Sequence, residues 1–216
     1  RETTNMQRRP FLQALGASTL IASPLTALHA QNRPIRVGST LSLTGPLGGT
    51  AVVHKIAAEI YIEQVNKRGG WLGRPVEWVV KDDQSKPDLA RTLYEQLITG
   101  DKVDLLMGPY ATANSLAAMG VAQRNSKVLV TNSFGIPSLA KYDMHFPAWS
   151  LGSDPQVTVS NTLFDALAAS PKPPKTIAIV TSKFPSIHFM SLGGRQIAKK
   201  RGLQEVLFME WDFGNR

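Results

Sequence analysis

Apolar and polar positions along this chain switch between a two-residue and a helical period, over and over. Ile35-Arg36-Val37-Gly38-Ser39-Thr40-Leu41-Ser42 is rich in β-branched and apolar residues and predicts a strand that stops at Thr44-Gly45-Pro46. Residues 51–68 follow with Ile56, Ile60, Ile62 and Val65 near helical spacing, and Gly69-Gly70 ends them. Further strands are expected over 76–81, 103–107 and 128–131, and helices over 87–99 and 115–125. In the helix at 87–99, Leu89, Leu93, Leu97 and Ile98 face inward and Gly100 is the stop. A β-α-β-α-β-α-β run predicts a parallel sheet with helices on both faces.

Residues 142–156 lose this rhythm and carry Pro147, Gly152 and Pro155, which reads as a crossing between two lobes. A second series follows, with helices expected over 157–169 and 192–201 and strands over 176–181 and 205–211. Two strands leave much apolar surface uncovered. The expectation is therefore an incomplete second lobe, in a chain that is a fragment of a longer protein.

The start of the chain has a different texture. Arg8-Arg9 precede Phe11-Leu12, residues 14–28 hold no charge, and Met6 reads as the true start. A basic segment, a short apolar stretch and a small residue at Ala30 describe an export signal, and the paired arginines resemble the twin-arginine kind. Cleavage is expected near Ala30, with the mature protein in the periplasm. The domain plan is an export signal over 1–30, a first lobe over 31–146, a hinge crossing over 147–156 and the beginning of a second lobe over 157–216.

Composition narrows the class. Hydrophobic residues make up 43% and charged residues 19%, which suits a folded globular body. The net charge is +8, scattered except for Arg195 with Lys199-Lys200-Arg201 on an expected helix. That cluster reads as a solvated helix face, and no nucleic-acid motif accompanies it. The absence of cysteine removes disulfides and thiolate chemistry. The four histidines, His29, His54, His145 and His188, show no metal spacing, so neither metal nor cofactor is expected.

Four landmarks stand in order: Ser39-Thr40-Leu41-Ser42-Leu43-Thr44-Gly45-Pro46, Val65-Asn66-Lys67-Arg68-Gly69-Gly70, Asp82-Asp83 followed by Pro87 and Ala90, and Leu106-Met107-Gly108-Pro109. In this order they resemble the branched-chain amino acid and amide binding proteins of ATP-binding-cassette importers. The resemblance implies the type I periplasmic binding fold: Rossmann-like α/β lobes with parallel sheets, joined by a hinge and closing on a ligand. It also implies delivery of a small amino acid, amide or aromatic carboxylate to an ABC permease in the inner membrane, and a monomer is expected.

In parallel sheets ligands lie beyond the carboxyl ends of the strands, near helix N-termini. Loops 44–51, 109–115 and 132–137 occupy that place. By position, the resemblance puts ligand contacts on Thr50, on Ala111 and Thr112 as a carboxylate grip, and on Ser133 and Gly135. Tyr110, Phe134, Phe184 and Ser186 are read as cleft-facing, the last two in an expected loop over 182–188. An aromatic residue often stands at the position of Thr50 in amino-acid binders, and a threonine at that of Gly135, where it helps hold the ligand ammonium. Both are absent here.

Other readings compete with these. Thr50 and Thr112 also suit helix caps. Asp82-Asp83 reads as a helix-leading or hinge-side turn rather than as paired catalytic carboxylates. Gly45, Gly48 and Gly49 do not form a dinucleotide fingerprint, and no catalytic nucleophile motif is present. An enzyme is not expected. A sensory or regulatory ligand-binding protein of the same fold is the main alternative, and an α/β enzyme a lesser one.

Overall fold

The structure, a computed structural model, describes residues 33–148 and 152–213. The expected export signal lies outside the described residues. In order, the elements are β1 (Ile35–Leu41), α1 (Gly48–Lys67), β2 (Val76–Asp82), α2 (Pro87–Thr99), β3 (Leu105–Met107), α3 (Thr112–Arg124), β4 (Leu129–Thr131), a 3₁₀ turn (Pro137–Leu139), β5 (His145–Pro147), α4 (Pro155–Ala168), β6 (Thr176–Ser182), α5 (Pro185–Lys200) and β7 (Gln204–Trp211).

The first five strands form one parallel sheet in the order β2-β1-β3-β4-β5. Successive strand residues point to opposite faces, so neighbours on β3 report on both layers. Leu106 joins Tyr94 and Leu97 of α2, Ala118, Met119, Val121 and Ala122 of α3, and Leu129 in the main core. Met107 instead lies with Val37, Val76, Trp78 and Val65 of α1. Thus α2 and α3 cover one face and α1 the other. Beyond the reach of α1, the register Met107–Val130–Phe146 leaves Val130 and Phe146 exposed.

Asn66 shows how the second landmark works. Its Nδ2 donates to the Val76 carbonyl at 2.9 Å and its Oδ1 accepts the Val76 N–H at 2.7 Å, so the end of α1 is tied to the start of β2. Gly70 makes the turn between them at φ +77, where a Cβ would sit 1.8 Å from the Arg74 carbonyl oxygen. No other residue type fits that turn.

The second series forms a separate two-stranded parallel sheet, β6-β7. Phe164 of α4 and Ile197 and Ala198 of α5 make its small core. Arg195 pairs with Glu205 and Arg201 with Asp165, so half of the basic cluster is neutralised on the helix surface.

Several boundaries differ from the sequence expectation: α1 begins at Gly48 rather than 51, β3 at Leu105 rather than 103, and α4 at Pro155 rather than 157. Helix α5 begins at Pro185, not at 192, so the expected cleft loop over 182–188 is largely the first turn of a helix. Pro at the first helical position is compatible with that start. Helix α3 begins at Thr112 rather than 115. Residues 145–147, read as irregular, form the short edge strand β5, where Pro147 costs no ladder bond.

Candidate ligand-binding cleft

Strand order reverses between β1 and β3, so the loops after these strands diverge and open a crevice. A cavity of about 330 Å³ lies there, lined by His54, Tyr110, Ala111, Asn132, Ser133, Phe184, Ser186 and Ile187. The first five come from α1 and the loops after β3 and β4; the last three come from the start of α5. A larger cavity of about 550 Å³ runs along α5 past Arg195 and Glu205, away from the strand ends, and those two side chains pair with each other across it.

The loops are fastened to one another. Ser133 Oγ accepts the Ala111 N–H at 3.1 Å and donates to the Pro109 carbonyl at 3.0 Å. Thr112 Oγ1 accepts the Gly135 N–H at 3.1 Å. Ala111 itself sits at φ 79, ψ 149, a region that only glycine adopts without strain. That twist turns the chain from β3 directly into α3.

The β1 loop is held by the two aspartates. Asp83, fully buried, accepts hydrogen bonds from Thr40 Oγ1 and Ser42 Oγ at 2.7 Å each and from the Ser85 N–H at 3.0 Å. Asp82 accepts from Thr44 Oγ1 at 2.6 Å and from the Thr44 and Gln84 N–H groups. Burial pushes the Asp82 carboxyl up, but these hydrogen bonds outweigh it and hold it below the usual range. Both carboxylates are occupied as loop ties.

His54 stands one helical turn beyond Thr50. Its Nδ1 lies 3.2 Å from Asn132 Nδ2, and its ring meets the Tyr110 ring at a centroid distance of 4.8 Å. Burial pushes the imidazole pKa down.

The structure thus brings Tyr110, Ala111, Ser133, Phe184 and Ser186 to one cavity wall. Thr50 is exposed in the first turn of α1 and does not line it. Nor does it cap the helix, whose N-cap is Leu47. Thr112 is buried behind the wall, bonded to the 135 loop rather than capping α3. Gly135 lies beside it, where a Cβ would come 2.7 Å from Ser186 Cβ. The carboxylate grip expected at Ala111 is altered, because its N–H is already taken by Ser133. Phe134 is not cleft-facing: its side chain is in the main core, edge-on to His145. His54, Asn132 and Ile187 line the cavity without having been singled out from the sequence. The signal for His54 was its i+4 relation to Thr50, which places it one turn along the same helix.

A family model described as periplasmic binding protein matches residues 34–211. A chemotactic signal transduction system substrate-binding protein, BasB of Halobacterium salinarum, is 33% identical over 110 residues, half of this chain and 27% of that protein. The branched-chain amino acid transporter substrate-binding protein LivJ of Streptococcus pneumoniae, solved with isoleucine, superposes with a TM-score of 0.70 at 21% identity, over 85% of this chain and 51% of that one. A solute-binding protein of an ABC transporter from Rhodopseudomonas palustris, solved with benzoate, gives a TM-score of 0.70 at 21% identity over 84% and 49%. The chain therefore spans about half the length of these solved proteins.

Proposed function

Because the chain belongs to the periplasmic binding protein family, we propose that it is the extracytoplasmic solute-binding component of an ABC importer. It captures a small carboxylate-bearing ligand, whether a branched-chain amino acid, an amide or an aromatic acid, and hands it to a membrane permease. The observation that carries this reading is the shared wall: Tyr110, Ala111 and Ser133 come from the strand-end loops of one sheet, and Phe184, Ser186 and Ile187 from the helix that follows β6. A ligand held by both sides favours the closed arrangement, and the stretch between β5 and α4 is where the chain crosses from one to the other. Residues 1–30 supply export to the periplasm.

A thermal-shift measurement on the full-length mature protein tests this, with isoleucine, short amides and benzoate as probes. A ligand at about a hundred times its dissociation constant adds ~2.7 kcal/mol of stability. A saturable shift with one class supports the reading; flat curves for all of them remove it.

A second reading, ligand sensing rather than import, is favoured by the similarity to a chemotactic system protein. Affinity capture from membranes separates the two: a permease with its ATPases supports import, a signalling receptor supports sensing.

A further inference from the structure

We infer that His54 is a specificity-determining residue of this cleft, supplying an uncharged Nε2–H donor to a ligand carboxylate, so that the site takes an aromatic monocarboxylate in preference to an α-amino acid. This rests on the solute-binding reading above.

The proton is placed by geometry. Asn132 turns its amide nitrogen to His54 Nδ1 at 3.2 Å, and an amide nitrogen only donates. Nδ1 therefore accepts, and the neutral ring carries its hydrogen on Nε2. Among the described residues no hydrogen bond uses Nε2. Burial of the ring favours the same neutral form. Two other donors of the wall are spent: the Ala111 N–H goes to Ser133, and the Ser133 hydroxyl to the Pro109 carbonyl. The Tyr110 and Ser186 hydroxyls make no hydrogen bond among the described residues and are further donors of the wall.

The rest of the wall sets the class. None of its eight residues is Asp, Glu, Lys or Arg. An ammonium brought in from water would meet no carboxylate, which is costly in a desolvated site. A threonine hydroxyl at position 135 is sterically closed off, since Ser186 occupies the space a side chain there would need. Tyr110, Phe184 and Ile187 meanwhile line the cavity with aromatic and aliphatic surface, which suits a flat apolar body. A benzoate-like acid satisfies both conditions; an amino acid satisfies only the carboxylate end.

The test is calorimetric titration of the full-length protein with benzoate, benzamide and isoleucine, repeated in His54→Ala and His54→Gln. Benzoate is expected to bind the unmutated protein more tightly than either other probe. His54→Ala is expected to weaken benzoate roughly ten- to hundredfold and benzamide clearly less, because a hydrogen bond to a charged acceptor is stronger than one to the benzamide carbonyl. His54→Gln, which keeps an N–H donor, is expected to restore most of the benzoate affinity. The benzoate-to-benzamide ratio is the decisive readout, since a general loosening of the cleft lowers both together. An unchanged ratio in His54→Ala, or isoleucine binding more tightly than benzoate to the unmutated protein, overturns the inference and leaves solute binding intact. Failure of all three probes removes the solute-binding reading and this inference with it.

Discussion

The two sheets of this molecule are built from the same strand–helix unit but are unequally filled. Around the five-stranded sheet, α2 and α3 enclose a continuous core in which Tyr94, Leu97, Val121 and Leu129 are wholly buried. Around β6-β7 the core reduces to Phe164, Ile197 and Ala198, while Val180, Val206, Leu207, Met209 and Trp211 stand exposed. A two-stranded sheet is marginal by itself. Within this stretch of chain, the cavity thus joins a well-filled wall to a sparsely filled one. Polar ties serve both: the loops of the first sheet are cross-bonded through Asp83, Ser133 and Thr112, and α5 is tied to β6 by the Ser191 hydroxyl donating to Thr181 at 2.8 Å.

Substitutions break this comparison if it is wrong. Leu97→Ala is expected to cost about 2–5 kcal/mol in chemical denaturation, because a fully buried leucine leaves a cavity. Val206→Ala, on the exposed face of β7, is expected to stay within about 0.5 kcal/mol. Equal costs for the two would mean that the second sheet is as well packed as the first. Next in size, Asp83→Ala is expected to lose about 2–3 kcal/mol, since the hydroxyls of Thr40 and Ser42 and the Ser85 N–H lose a charged acceptor. Hydrogen exchange of this variant would sharpen the result by showing a larger increase in opening of the β1 loop than of β6-β7. The smallest effect is with pH. Burial holds both His54 and His145 below the usual 6.5, so the unfolded chain takes up these protons more readily than the folded one. Stability is then full above pH ~6.5 and declines as the pH falls below it. His145→Phe is expected to flatten that decline in melting temperature; an unaltered slope would place the titration elsewhere.

The first four strands of the parallel sheet were legible in the sequence because turn and helix-stop residues separate them from their neighbours. Pro87 and Gly100 bracket α2 and fix its limits to the residue. Weaker marks gave weaker results. Helix α5 opens on a mixed polar and apolar run after Pro185, so periodicity became visible only at 192. Strand β5 is three residues long and ends in proline, which hides it among loop residues. At the cleft, strand-end loops announced Tyr110, Ala111 and Ser133. His54 stayed hidden because it lies inside a helix, where a lone histidine ordinarily signifies surface or packing. Phe134 misled for the opposite reason: it sits in a strand-end loop, yet its side chain turns back into the core.

The meeting of Gly135 and Ser186 has a consequence for the history of this protein. The two positions lie on elements fifty residues apart in the chain, yet a Cβ at one would press against the Cβ of the other. Position 135 cannot gain a side chain while Ser186 keeps this place. In lineages that place a side chain at the first position, the second must have changed with it, or the start of α5 must have withdrawn. A side chain at position 135 is thus expected only where position 186 has changed or α5 starts farther off.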